Sequence, residues 1–77
     1  MNAASVTPVP ITGDTIRLGQ FLKLAGLAET GAHARELLVD NEVTVNGEAE
    51  ARRGRQLHRG DDVQLDTPKG SARASVG

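Results

Sequence analysis

Four arginines fall within eight residues in the run Arg52-Arg53-Gly54-Arg55-Gln56-Leu57-His58-Arg59, and no acidic residue interrupts them. A guanidinium is planar and permanently charged, and it donates hydrogen bonds in a fixed fork. It therefore grips phosphate oxygens in pairs and also stacks on bases. Clustered like this, the arginines can line a surface that tracks a nucleic-acid backbone. Taken alone, the run is equally compatible with a solvated basic loop that pairs with nearby acids. Just before it, from Glu36 to Glu50, stand five acids (Glu36, Asp40, Glu42, Glu48, Glu50) and no Lys or Arg. The net charge of −1 conceals this segregation, yet segregated charge is what sets a local field.

Catalytic chemistry has little to work with. His33 and His58 are the only histidines, and neither has neighbours suited to holding a metal or activating a nucleophile. His33 and Glu36, three apart, read as a solvated pair on a helix surface. Asp61 and Asp62 are adjacent and would point to opposite faces of a strand, which suits a turn better than an acid–base pair. Phosphate-binding loops, nucleophile elbows and dinucleotide fingerprints are all missing. The expectation is a protein that is not an enzyme, with no catalytic residue, metal or cofactor.

Aromatic content narrows the kind of nucleic acid. Phe21 is the one aromatic residue, and it lies in a helical apolar stripe, so it belongs to a core. Single-strand readers stack bases on exposed rings. Without such rings, recognition must rest on phosphates, 2′-hydroxyls and shape, which suits folded RNA.

The elements that would position these groups follow from apolar spacing. Leu18, Phe21, Leu22 and Ala25 recur at helical period, with Thr15 as a plausible N-cap and Gly26 as terminator. Gln20 and Lys23 then face solvent, and Arg17 lies on the flank. A second helix starts after Thr30, whose hydroxyl can cap the first turn. Ala34, Leu37 and Leu38 share its buried face, and Asn41 closes it in a left-handed conformation. The first turn of this helix, Thr30-Gly31-Ala32, offers free N–H groups at the positive end of a helix dipole, and Gly31 would let a phosphate approach. Ordinary capping without a ligand explains Thr30 equally well. Val43 and Val45 alternate with polar residues before Asn46-Gly47, the strongest short hairpin signal. A second turn at Arg59-Gly60-Asp61 leads into alternating Val63 and Leu65.

The chain of 77 residues holds one small domain. We expect a flexible arm over residues 1–14, with a short extended stretch near Val9 to Ile11. The folded domain then covers 15–66, and a flexible tail covers 67–77. No cysteine is present, and neither a signal-peptide pattern nor a membrane-spanning run is recognisable. A cytoplasmic monomer is expected.

The order of these elements resembles the S-four (alpha-L) RNA-binding domain, named after the fourth protein of the small ribosomal subunit. The resemblance is carried by Ile16 to Leu22, Thr30 to Leu38, Val43-Thr44-Val45-Asn46-Gly47 and Leu57 to Val63. It is similar in particular to short bacterial proteins that consist of this domain alone. The resemblance implies an α+β fold, with two packed helices followed by a small antiparallel hairpin sheet. It also implies contact with structured RNA, ribosomal or transfer, through the start of helix two and the adjoining basic surface. On that basis Arg17, Lys23, Thr30, Gly31, Arg35, Arg52, Arg53 and Arg55 are the candidate contacts. Many members carry a serine–arginine pair where this chain has Thr30-Gly31, which shifts weight to residues 52–55. Many also carry an aspartate where Gly19 stands here. From another class, the acidic stretch Glu36 to Glu50 suggests a protein-interaction adaptor on ribosomal or ribosome-assembly particles.

Overall fold

A computed structural model describes residues 7–77. The elements in order are β1 (Thr7–Val9), β2 (Thr15–Arg17), α1 (Leu18–Leu24), α2 (Gly31–Val39), β3 (Val43–Val45), β4 (Glu48–Ala49), β5 (Gln56–His58), β6 (Asp62–Thr67) and β7 (Gly70–Val76). Two helices pack on a five-stranded mixed sheet of order β1-β7-β6-β3-β4, with β2 and β5 forming a separate two-stranded ribbon. The α+β class is as expected, but the sheet is larger than a hairpin.

The hairpin sits where Asn-Gly places it. Asn46 and Gly47 have φ of 52° and 87°, the paired positive values that a two-residue turn with the right twist demands. Asn46 also fastens this turn to the next one. Its side-chain amide donates to Asp61 Oδ1 at 3.1 Å, and its Oδ1 accepts from the Asp62 N–H at 2.9 Å. Asp61 in turn accepts from the His58 N–H at 2.7 Å. Asp61 is thus a turn residue, and its neighbour Asp62 pairs with Arg73 on β7.

Both helices close as their end residues suggest, but α1 starts differently. Thr30 caps α2 by accepting from the His33 N–H at 3.0 Å, and Asn41 leaves that helix at φ 57°. Gly26, at φ 77°, ends α1. Thr15 is not the α1 cap. Residues 15–17 form β2, antiparallel to β5 with Arg17 opposite Gln56, and α1 begins at Leu18 with no side-chain cap. The free N–H groups of its first turn go instead to another part of the chain. The Leu18 N–H donates to the Arg55 carbonyl at 2.8 Å and the Gly19 N–H to the Arg53 carbonyl at 3.0 Å. A tertiary cap of this kind satisfies the orphan donors of a helix start as well as a local hydroxyl does.

The domain boundaries also need correction at both ends. Residues 67–77, expected as a flexible tail, supply β7, which pairs antiparallel with β6 from Asp62↔Ser75 to Thr67↔Gly70. It buries Ala74 and Val76 in the core. Within the expected arm, Thr7–Val9 pairs parallel with β7, the Gly77 N–H donates to the Val9 carbonyl at 2.8 Å, and Arg59 reaches the Ile11 carbonyl at 3.2 Å. The expectation for residues 1–6 lies outside the described residues. Leu18, Phe21 and Leu22 of α1, Leu37 and Leu38 of α2, and Val43, Val45, Leu57 and Val63 of the strands make one continuous core with Ala74 and Val76.

Candidate nucleic-acid interface

Arg17 ends β2 and immediately precedes α1. Gln20 and Lys23 follow it at intervals of three, so the three side chains rise on one side of the helix. The segment 52–55 is held against the same helix start by the two tertiary cap bonds. The start of α2 arrives from the other side. Between these three pieces lies a cleft of about 330 Å³ lined by Arg17, Gly19, Gln20, Lys23, Gly31, Ala34, Arg53 and Gly54. Three of those residues are cationic and none is acidic.

The cleft gathers four of the eight expected contacts: Arg17, Lys23, Gly31 and Arg53. Thr30 stands beside Gly31 as the α2 cap. At that helix start the His33 N–H is taken by the Thr30 hydroxyl and the Ala34 N–H by the Thr30 carbonyl, at 3.0 Å each. Among the described residues, the N–H groups of Gly31 and Ala32 have no partner, as is usual in the first turn of a helix, and of the two residues Gly31 lines the cleft. A Cβ at Gly31 would meet nothing within 4 Å, which leaves room for an anion to come close. Arg35 is exposed on α2 and is not among the residues that line the cleft.

Arg52 and Arg55 have a different first task. Both hold Glu50, Arg52 through Nε at 3.1 Å to Oε2 and Arg55 through Nη1 at 3.1 Å to Oε1. Arg52 Nη2 adds a bond to Oε1 at 3.1 Å, and the Arg52 backbone N–H donates to Oε2 at 3.0 Å. The Glu50 side chain is only 9% exposed, whereas that of Arg52 is 76% exposed. The arginine run is therefore divided. Arg53 projects into the cleft, and Arg52 and Arg55 fix the loop that carries it. Glu50, read from the sequence as part of an acidic surface, is instead the buried anchor of the basic loop. Its spacing of two from Arg52 was the only local hint of this.

Hydrogen bonds from the Arg52 side chain and then its backbone N–H, with Arg55 adding to them, hold the Glu50 carboxyl down at about 2 against burial, which works the other way. Because the folded value lies below the ordinary one, the anchor's contribution is complete above pH about 4.5 and drains away as pH falls towards 2. We expect Glu50→Gln to cost about 1–2 kcal/mol at neutral pH, since the arginines it frees can turn to water. The difference in melting temperature between wild type and Glu50→Gln should then shrink between pH 5 and 2. A difference that stays constant over that range would show that the ionised anchor contributes nothing.

Comparison with known proteins identifies the family. A family model described as S4 domain matches residues 9–71. The chain belongs to the S4 domain family. The match reaches beyond the 15–66 core expected from the sequence and takes in the first residues of β7, which agrees with the enlarged sheet. Among the relatives of this S4 domain is the "Probable ribosome maturation protein RlbA" of Bacillus subtilis (strain 168). The two are 46% identical over 59 residues, spanning 77% of this chain and 83% of the relative. Within the described residues of this S4 domain, no group of three or more His, Cys, Asp or Glu side chains is placed to hold a metal ion. No helix there is long and apolar enough to cross a membrane.

Proposed function

We propose that this protein binds structured RNA of the ribosome or its assembly intermediates as a non-enzymatic factor, through the cleft between α1, α2 and the 52–55 loop. The observation that carries the reading is the convergence of Arg17, Lys23 and Arg53 on one acid-free cleft at the positive end of α2. Guanidinium and ammonium groups there neutralise backbone phosphates, and Gly31, at the positive end of the α2 dipole, lets an anion come close to the helix start. Membership of the S4 domain family and a relative whose name concerns ribosome maturation support the same reading. Phe21 is fully buried, so the cleft has no ring on which to stack unpaired bases. That favours a folded RNA, ribosomal or transfer, over a single strand. A cytoplasmic location follows from the partner.

The test is a binding titration with purified folded ribosomal RNA fragments, an unstructured RNA of equal length and a duplex DNA, each at several salt concentrations. Folded RNA should bind best. About four phosphate contacts, each contributing roughly −0.7 to −0.9, should give a log–log salt slope near −3 to −4. Failure to bind any purified RNA, together with association with protein-containing ribosomal particles, would overturn this reading in favour of the adaptor. The exposed acids Glu36 on α2 and Asp40 at its C-cap would then be the first surface to test.

A further inference from the structure

Gly19 is the second residue of α1 and is buried. Its φ is not positive, so nothing in its backbone calls for glycine. In a helix, alanine is the better residue by intrinsic preference. The reason for glycine lies across the cleft. A Cβ built at this position would stand 2.4 Å from Arg53 Cγ and 3.1 Å from Arg53 Cδ, while the Arg53 carbonyl at 3.5 Å would remain in ordinary contact. The aliphatic stem of Arg53 lies directly on the bare backbone of the helix, and the same residue accepts the Gly19 N–H at 3.0 Å.

We infer that Gly19 is the positioning residue of the site: its missing side chain is the berth that directs the Arg53 guanidinium into the cleft. The inference rests on the RNA reading above and adds to it the determinant of where that charge stands. The obstructing atom is Cγ, near the root of the side chain. An alanine therefore forces a different first torsion on Arg53 and swings the whole guanidinium away, while the backbone cap bond stays in place.

The experiment is a double-mutant cycle of Gly19→Ala and Arg53→Ala, read by thermal melting and by RNA affinity over a range of salt. Gly19→Ala alone should lower affinity about tenfold, the scale of one charge-assisted contact, and flatten the salt slope by nearly one unit, and Arg53→Ala should do the same. Its melting temperature should stay close to that of the wild type. In the Arg53→Ala background, where no Cγ remains to collide, Gly19→Ala should change neither affinity nor slope. Equal losses in both backgrounds would mean that the glycine serves the helix and not Arg53, and would overturn the inference. So would a Gly19→Ala protein with unchanged affinity and slope. A Gly19→Ala protein that fails to fold, and is rescued by adding Arg53→Ala, would still locate the conflict at this contact. Failure to fold in both backgrounds would overturn the inference. If the wild type binds no RNA, the RNA reading itself fails, and the role of Gly19 in binding with it.

Discussion

Replacing Arg17, Lys23 and Arg53 together by alanine should abolish most RNA binding and leave the fold standing. All three side chains are exposed, so their removal costs little stability, whereas each one lost deletes a phosphate contact. The log–log salt slope should flatten by about two to three units, and affinity at low salt should fall by at least about a hundredfold for every RNA tested. Arg35→Ala, on the same helical layer but away from the cleft, should behave as wild type. Circular dichroism supplies the folding control. A folded triple variant with an unchanged slope would remove the cleft from the mechanism, and an Arg35→Ala variant with the larger loss would move the interface along α2.

The second large effect is on stability. Cutting the chain after Lys69 should leave it unfolded at room temperature. The cut removes β7, which lies between β1 and β6. Ala74 and Val76 leave the core, Val63 is uncovered, and β1 loses the strand it pairs with. A buried valine is worth about 1.5–3 kcal/mol, and each ladder bond adds about 0.5–1.5 kcal/mol net. Over this many pairs the loss rivals the whole stability of about 4–11 kcal/mol expected for such a chain. A truncated protein that melts cooperatively near the wild-type temperature would show that the strand is dispensable.

The same strand shows where a sequence reading reaches its limit. The helices announced themselves because Leu18, Phe21 and Leu22, and again Ala34, Leu37 and Leu38, repeat at helical spacing, with Gly26, Thr30 and Asn41 marking the ends. Asn46-Gly47 announced the hairpin because so few residue pairs tolerate its geometry. By contrast, Ser71-Ala72-Arg73-Ala74-Ser75-Val76 has small residues and only two inward positions, Ala74 and Val76, too short and weak an alternation to mark a strand. β2 was hidden for another reason. Its pairing with β5 is non-local, and the cap of α1 consists of two carbonyls from residues 53 and 55, which no pattern around Thr15 can reveal. Within the candidate site, Arg17 and Lys23 were candidates only by the family resemblance, and charge clustering singled out the run from Arg52 to Arg59 as a whole. It could not divide the arginine run, because that division depends on which guanidinium the buried Glu50 claims. Gly19 was visible only as a departure from a family habit, and its meaning needed the stem of Arg53 in place.

The parallel pairing of β1 with β7 also sets a schedule. A chain is made from its N-terminus, so among the described strands β1 is made first and β7 last. The partner of Thr7–Val9 does not exist until the other strands of the sheet have been made. Until then the helices and the Val43–Val45 hairpin can gather, but β6 presents an open edge bearing Val63 and Leu65, a template for wrong pairings. Final closure joins the first and last described strands of the sheet, a contact of long sequence separation and therefore of a kind that forms slowly. Newly made molecules therefore acquire their complete sheet only once β7 has been made, and the interval before it is when they are most in need of protection from one another.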